Sequence, residues 1–437
     1  MSDDYFRYKS IRDPLYGFID ISKIETQIID SAVFRRLHNI KQLSHAFLVY
    51  PTAIHSRFEH SLGVLYLSDL VAKQLDFQKD EIEIIRLSAL LHDLGHGPFS
   101  HLFEEVLSEV NGKKIEHEDI SKMLIKENPE ISSILKDKVK KVIQILDHEK
   151  VDDWDEAKST LASDIVSSPL DVDKMDYLRR DSYHIGVAYG QFDLPRIIHT
   201  LTSTNDVKEK RLCIKDKGKD SIENYRLGRY LMHAQVYQHH TRLVADQMFL
   251  RALDLAVNEE NIIDKEKLKV DPTLATSNKN FLDFYTELDD RTIYDFIINS
   301  NPSSKAAGIL KNIKQRKLLK RVFDFLPANE IPNAQTRDRI MRMKKPDLMK
   351  MSNEIAEKLK LEKHDVIAYL SEIPVNLYEG EILIMWKGIP RKLDEFSPIK
   401  TSESTIIKFY IYSLDNPDVK KCIQDYATAN FGIVLNS

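Results

Sequence analysis

His92 and Asp93 set an imidazole beside a carboxylate at the end of an apolar run, Leu90-Leu91-His92-Asp93-Leu94-Gly95-His96-Gly97. A third candidate metal ligand, His60, lies upstream in Ser56-Arg57-Phe58-Glu59-His60-Ser61-Leu62-Gly63, and a fourth, Asp173, lies downstream in Asp171-Val172-Asp173-Lys174-Met175-Asp176-Tyr177. Two imidazole nitrogens and two carboxylate oxygens suit a borderline-to-hard divalent ion such as Mn, Fe, Zn or Mg. Such an ion makes water acidic enough to attack a phosphate ester near neutral pH.

Other groups extend this chemistry. Arg57 stands three positions before His60, so a cation for phosphate oxygens and a ligand share one helical face. His96 and His101 are candidates for proton transfer, because imidazole titrates near working pH. Glu104, three positions after His101, is placed to orient or charge-stabilise that ring. A histidine ligand needs its second nitrogen held, and Glu59 or Asp119 is the expected holder. A lone His-Asp pair is more often a helix end making local hydrogen bonds. Here, however, eight of 15 histidines crowd between His38 and His117, which favours a site. Lys174, Arg57 and Arg229 lie on three separate segments. They form a polyphosphate clamp only if the fold gathers them.

Helices must position these groups. Apolar residues recur at three- and four-residue steps through Ile24–Leu43, again from His60 to Leu75, and over Glu81–Leu91, which ends in His92-Asp93. Gly95, Gly97 and Pro98 stop that helix, and Ser100 is expected to cap the next. Another helix follows Pro169. Arg211–Lys215 alternates like a hairpin strand, and a long helical pattern runs from Ile222 to Val257. From Asn258 onward, Lys- and Arg-rich helical segments (311–321, 337–350) alternate with β-rich runs at 381–386 and 405–412. The expected fold is therefore mainly α, with a helical catalytic region at 1–257 and a mixed α/β lobe at 258–437.

The 437 residues, 42% hydrophobic and 30% charged with a formal charge of −5, describe an ordinary soluble chain and not a surface built for nucleic acid. Nucleic-acid binding through local basic runs is possible but not favoured. Two cysteines make no disulfide framework, so a reducing cytoplasm is expected. The acidic start Met1-Ser2-Asp3-Asp4 lacks an apolar core, so no secretory signal is expected. No stretch approaches the ~18 apolar residues that span a bilayer, so no membrane partner is expected.

With Asp13-Pro14-Leu15-Tyr16-Gly17, Ile40-Lys41-Gln42-Leu43, the His60 and His92 motifs through His101, Asp171-Val172-Asp173-Lys174, Tyr177, Arg180-Asp181 and Tyr237-Gln238-His239, the chain resembles the HD superfamily of metal-dependent phosphohydrolases. Within it, the chain looks like the deoxynucleoside triphosphate (dNTP) triphosphohydrolases, and the likeness covers nearly the whole length. Some vertebrate members carry a preceding sterile-alpha-motif domain, and a compact form without one is expected here.

The resemblance implies an all-helical HD core and water attack on the α-phosphorus of a dNTP, releasing deoxynucleoside and inorganic triphosphate. It implies that His60, His92, Asp93 and Asp173 hold the metal, and that His101, backed by Glu104, protonates the departing 5′ oxygen. His96 and His117 would meet the α-phosphate region or a second metal. Arg57, Lys174 and Arg229 would grip the outer phosphates. Gln42, Leu43, Tyr177, Asp181 and Tyr237 would line the sugar pocket, where an aromatic wall under C2′ leaves no room for a hydroxyl. Gln238 and His233 would sit nearer the base.

Members are commonly oligomers, so a dimer or tetramer with an activating nucleotide between subunits is implied. Asp30, Arg35, His38, Arg196, Lys215, Lys217 and His239 fall at the regulatory positions. The chain departs from the vertebrate pattern at Glu104, which replaces Asp, and at Arg35 and His38, which replace a Gln and an Arg. Guanine-specific activation therefore does not carry over. Other substrates that an HD site serves are nucleoside monophosphates, cyclic nucleotides and (p)ppGpp.

Overall fold

The computed structural model describes residues 6–204, 210–272, 278–374, 381–397 and 405–432, and the Met1–Asp4 start lies outside them. The fold is mainly helical, with three small sheets among the described residues. Two compact units divide the chain. The first contains Met1–Met232, Ile263–Phe296 and Tyr378–Lys400; the second contains His233–Ile262, Ile297–Leu377 and Thr401–Ser437. Neither unit is continuous in sequence: relative to the expected 257/258 division, two later stretches pack in the first unit and His233–Val257 packs in the second.

Residues 57–181 of the first unit hold helices and no strand. The helix Arg57–Gln74 is apolar on nearly all sides, with His60, Leu62, Val64, Leu65, Leu67 and Val71 buried, and so occupies the centre of the unit. It packs against Lys79–Leu91, whose Ile85, Leu87, Leu90 and Leu91 are fully buried. Burying a leucine or isoleucine side chain is worth about 1.5–3 kcal/mol, so this pairing is a firm platform for the residues at its ends. The helix Val172–Ile185 lies along Arg57–Gln74 and begins with Asp171, whose side chain accepts from the Lys174 amide at 2.7 Å.

A four-stranded sheet in the same unit has the order 201–203, 212–215, 383–386, 389–392, with the middle pair parallel and the outer pairs antiparallel. The run at 381–386, read from sequence as part of the C-terminal lobe, thus pairs with 212–215 instead.

Two long helices expected from sequence are broken. Ile24–Leu43 becomes Lys23–Asp30, a short helix Ala32–Arg35 and a tight turn Arg36–Asn39. Ser31 makes the break: its backbone is extended, and its hydroxyl donates to Ile28 O at 2.6 Å and accepts from Phe34 N at 3.3 Å. Ile222–Val257 becomes the helix Lys219–Met232, a π-helical turn His233–Tyr237, the helix His240–Asp254 and a second π-helical turn Leu255–Glu259.

The second unit contains a three-stranded antiparallel sheet in the order 320–325, 405–413, 367–374. One face, with Phe323, Phe325, Phe409 and Ile411, packs against Ile355, Ile423 and Phe431 from the helices Lys345–Leu359 and Pro417–Phe431. Residues 311–321, expected as helix, split between the helix Lys305–Lys314 and the strand Lys320–Phe325. Among the described residues no helix is long and apolar enough to cross a membrane.

Candidate metal and phosphate site

The platform carries His60 one turn into Arg57–Gln74 and His92-Asp93 at the end of Lys79–Leu91. Ser56 starts the first of these helices, and its amide donates to Glu59 Oε2 at 3.4 Å. His60 Nε2 stands 2.9 Å from Asp173 Oδ1 and 3.6 Å from Asp93 Oδ2. His92 Nε2 stands 3.3 Å from Asp93 Oδ1 and 3.5 Å from Asp173 Oδ1. His60, His92 and Asp93 each offer a ligand atom within 4.8 Å of the others.

The outer nitrogens decide how these rings face. His92 Nδ1 lies 2.8 Å from Ala89 O, an acceptor only, so Nδ1 carries a hydrogen and Nε2 is the nitrogen left to face the carboxylates. His60 Nδ1 lies 2.8 Å from Asp176 Oδ2. The expected holders do otherwise: Glu59 receives the Ser56 amide, and Asp119 pairs with Lys122 at 3.4 Å. Asp176 projects from the same helix as Asp173, one turn on. Sequence reasoning missed it because i,i+3 carboxylates are common on solvated helices.

The donors fit a divalent cation. Among the described residues, the buried Nε2 atoms of His92 and His96 find no hydrogen-bond partner, although carboxylate oxygens stand 3.3 Å from each. Buried polar atoms are rarely left so, and two of them facing Asp93 mark a place for a positive centre. Electrostatics agree. Burial works against a charged His60, but Asp173 and Asp176 outweigh it and push its pKa up to about 10. Burial likewise opposes ionised Asp93 and Asp173. His92, Arg57 and His96 hold Asp93 well below the usual carboxylate range, and His60 and His92 do the same for Asp173.

A second cluster adjoins the first. Glu104 Oε1 lies 3.2 Å from His96 Nδ1, 3.1 Å from His101 Nδ1 and 3.1 Å from His117 Nδ1. His96 and His117 stack at 3.7 Å between centroids and turn their Nε2 atoms to Asp93 Oδ1, at 3.3 and 3.6 Å. One carboxylate oxygen thus gathers three imidazoles. Burial, with Arg57 and His117, pushes the His96 pKa down to about 3, whereas Glu104 overcomes burial to raise His117. The His101 side chain is 68% exposed, so its ring is largely open to solvent. Ser100 precedes the helix His101–Asn111 but makes no side-chain cap; its hydroxyl accepts from Arg57 Nε at 3.1 Å instead.

The three cations differ in setting. Arg57 Nη1 donates to Asp93 Oδ2 at 2.8 Å. Lys174 Nζ donates to Asp171 Oδ2 at 2.8 Å. Arg229 is buried and bonds the Tyr177 phenol, which burial pushes up to about 12 against the pull of Arg229 and Lys174. Tyr177 and His60 rings lie 6.5 Å apart, so Lys174, Tyr177 and Arg229 neighbour the His/Asp cluster.

Gln42 and Leu43 are buried, and Gln42 Oε1 has no hydrogen-bond partner among the described residues. The Gln42 amide donates to His55 O at 3.0 Å, and His55 Nε2 lies 2.7 Å from Asp181 Oδ1, so the unexpected His55 links two expected sugar contacts.

Tyr237, Gln238, His233 and His239 belong to the second unit. There the His233 and Tyr237 rings meet edge-on at 4.9 Å, Gln238 Oε1 accepts from Ser371 Oγ at 2.8 Å, and His239 Nδ1 accepts from Thr241 N at 3.2 Å. Of the expected regulatory residues, Asp30 lies 3.9 Å from both Arg35 and Lys9, and His38 stacks on Phe58 at 3.5 Å. Arg196 donates to Lys217 O at 3.0 Å, while Lys215 and Lys217 are exposed.

Comparison with known proteins places the chain among relatives. Residues 57–181 match the HD domain model, and residues 192–433 match the HD associated region. An uncharacterized protein of Methanocaldococcus jannaschii is 36% identical over 71% of this chain and 65% of its own length. Human deoxynucleoside triphosphate triphosphohydrolase SAMHD1 is 32% identical over 74% of this chain and 56% of its own length. A Bacteroides thetaiotaomicron phosphohydrolase structure superposes with a TM-score of 0.72 at 28% identity, covering 93% of this chain and 99% of that one. The chain therefore spans less than two thirds of the archaeal and human relatives.

Proposed function

Because this chain belongs to the HD family of phosphohydrolases, we propose that it hydrolyses dNTPs to deoxynucleoside and inorganic triphosphate. The observation that carries this reading is the convergence of His60 and His92 Nε2 on Asp93 and Asp173, with Lys174, Tyr177 and Arg229 beside them. The likeness to SAMHD1 supports the substrate class.

His60, His92, Asp93 and Asp173 would hold the divalent ion (Mn, Fe, Mg or Zn). When bound, it supplies Lewis acidity at a phosphoryl oxygen and lowers the pKa of water. Arg57, Lys174 and Arg229 bind the outer phosphates, with Lys174 exchanging the Asp171 carboxylate for a phosphate oxygen. Tyr177, Gln42, Leu43 and Asp181 contact the deoxyribose, and the unpartnered Gln42 oxygen accepts from a sugar hydroxyl. His101 donates its proton to the departing 5′ oxygen while Glu104 holds Nδ1 and fixes the ring. His96 and His117 place their Nε2 atoms toward the α-phosphate. The reaction runs in the cytoplasm, in a homo-oligomer whose regulatory nucleotide meets Asp30, Arg35, His38, Arg196, Lys215 and Lys217.

Product analysis tests the reaction. Purified protein with Mn or Mg and each dNTP, alone and in pairs, should yield triphosphate and deoxynucleoside. Monophosphate with pyrophosphate would overturn the assignment, and turnover only in pairs would identify an activator.

A further inference from the structure

We propose that the segment 285–294 braces the turn before His101, with Asp290 as a positioning residue that fixes this turn against the segment carrying Gln42 and Leu43. The inference rests on the roles proposed above for His101, Gln42 and Leu43. The brace lies within the HD associated region, outside the HD domain match, yet packs in the first compact unit.

The Asp290 carboxylate is buried, and each of its oxygens meets a different segment. Oδ1 accepts from the Phe99 amide at 2.6 Å, and Oδ2 accepts from the Lys41 amide at 3.0 Å and Lys41 Nζ at 3.4 Å. Phe99 and Ser100, immediately before His101, both have positive φ, 56° and 55°. An L-residue at such an angle is strained, and two in succession persist only where their surroundings hold them. Phe99 is held at both ends, because its carbonyl accepts from Ser44 Oγ at 3.1 Å.

Further bonds from the same segment reach the same turn. Tyr285 OH donates to Gly95 O at 2.7 Å, and a Cβ at Gly97 would stand 2.6 Å from that hydroxyl. Arg36 joins Leu288 O to Leu94 O at 3.2 and 2.9 Å. Tyr294 OH lies 3.0 Å from His45 Nε2, and His45 stacks on Phe99. Lys41 adjoins Gln42, and Phe99 lies two residues before His101. One rigid carboxylate therefore sets the spacing between the acid histidine and two of the sugar contacts. It touches none of His60, His92, Asp93 or Asp173, so it acts on geometry and not on metal affinity.

Asp290→Asn in the full chain tests this, because an amide offers one oxygen where two backbone N–H groups need acceptors. The expected result is amide exchange at least about tenfold faster in the peptide containing Lys41 or the one containing Phe99. Turnover should fall ~10- to 100-fold, the scale for displacing a reacting group by about an ångström, with Mn affinity unchanged. Unchanged exchange in both peptides, or a loss of turnover matched by a loss of Mn affinity, would overturn the proposal. If Asp290→Asn does not fold, Tyr285→Phe, which removes only the hydroxyl bonded to Gly95, should speed exchange around residues 95–99; no change there would equally overturn it. Should the wild type fail to hydrolyse any dNTP, the proposed reaction falls, while the exchange rates still decide the brace.

Discussion

His60 Nδ1 and Asp176 Oδ2 stand 2.8 Å apart, and this bond turns His60 Nε2 toward Asp93 and Asp173. Asp176 is itself fixed by Arg180 Nε and Nη2 at 2.8 and 2.9 Å and by Tyr16 OH at 2.8 Å. Asp176→Asn replaces one acceptor oxygen with a donor facing other donors. Loss of such an outer partner lowers metal affinity about 10- to 100-fold. Calorimetric titration of the metal-free protein with Mn checks this, and wild-type affinity would mean that His60 is oriented without Asp176.

Gly63 leaves room for the same carboxylate. A Cβ there would lie 1.9 Å from Asp176 Oδ1 and 2.4 Å from Arg180 Nη2. Gly63→Ala should cost at least about 1–3 kcal/mol, the usual range for overpacking, because the displaced pair is buried and ionic. Urea unfolding measures it, and an unchanged midpoint would show that the network yields freely.

Metal holding and proton donation should separate. Asp173→Ala should leave the purified protein with less bound metal. His101→Ala should keep its metal, because that ring lies out at the surface beside Glu104, and should lose ~10²- to 10⁴-fold in turnover, as for a missing general acid. Metal analysis and initial rates on the two variants decide it. Metal loss in the His101 variant would show that the roles are wrongly divided.

Acid should destabilise the fold through His184. Burial, helped by His55 and Arg180, pushes its pKa down to about 4, and its ring stacks on His55 at 4.5 Å. An unfolded histidine titrates near about 6.5. Between those values the unfolded chain binds a proton that the folded chain refuses, so stability rises with pH. The contribution is whole above about pH 6.5 and is lost as pH falls toward 4. Melting curves at neutral and mildly acidic pH should show a smaller acid-induced drop for His184→Gln than for wild type. Equal drops would place the acid sensitivity elsewhere.

The sequence is most legible where chemistry and periodicity coincide. His92-Asp93 at the end of an apolar helix and His60 near the start of another could be read directly, and they meet. The groups that hold them were not legible. Asp176, His55 and Asp290 act through tertiary contacts spanning 116, 126 and 191 residues, and no local pattern distinguishes them from surface carboxylates or core histidines. Apolar spacing also ran on through Ser31 and through the π-helical turn at His233–Tyr237. A hydroxyl bonding its own backbone in one place and a changed hydrogen-bond step in the other break the helix without altering that spacing. Ser100 looked like a cap, but the nearby Arg57 takes its hydroxyl.

The parallel pairing of 212–215 with 383–386 has a consequence for biosynthesis. While the ribosome is still translating the intervening residues, strand 212–215 has one neighbour and one bare edge, a template for mispairing with other nascent chains. Premature termination before residue 383 would leave that edge permanently uncovered. Truncated products should therefore aggregate or be degraded, even though every histidine and aspartate of the proposed centre has already been made.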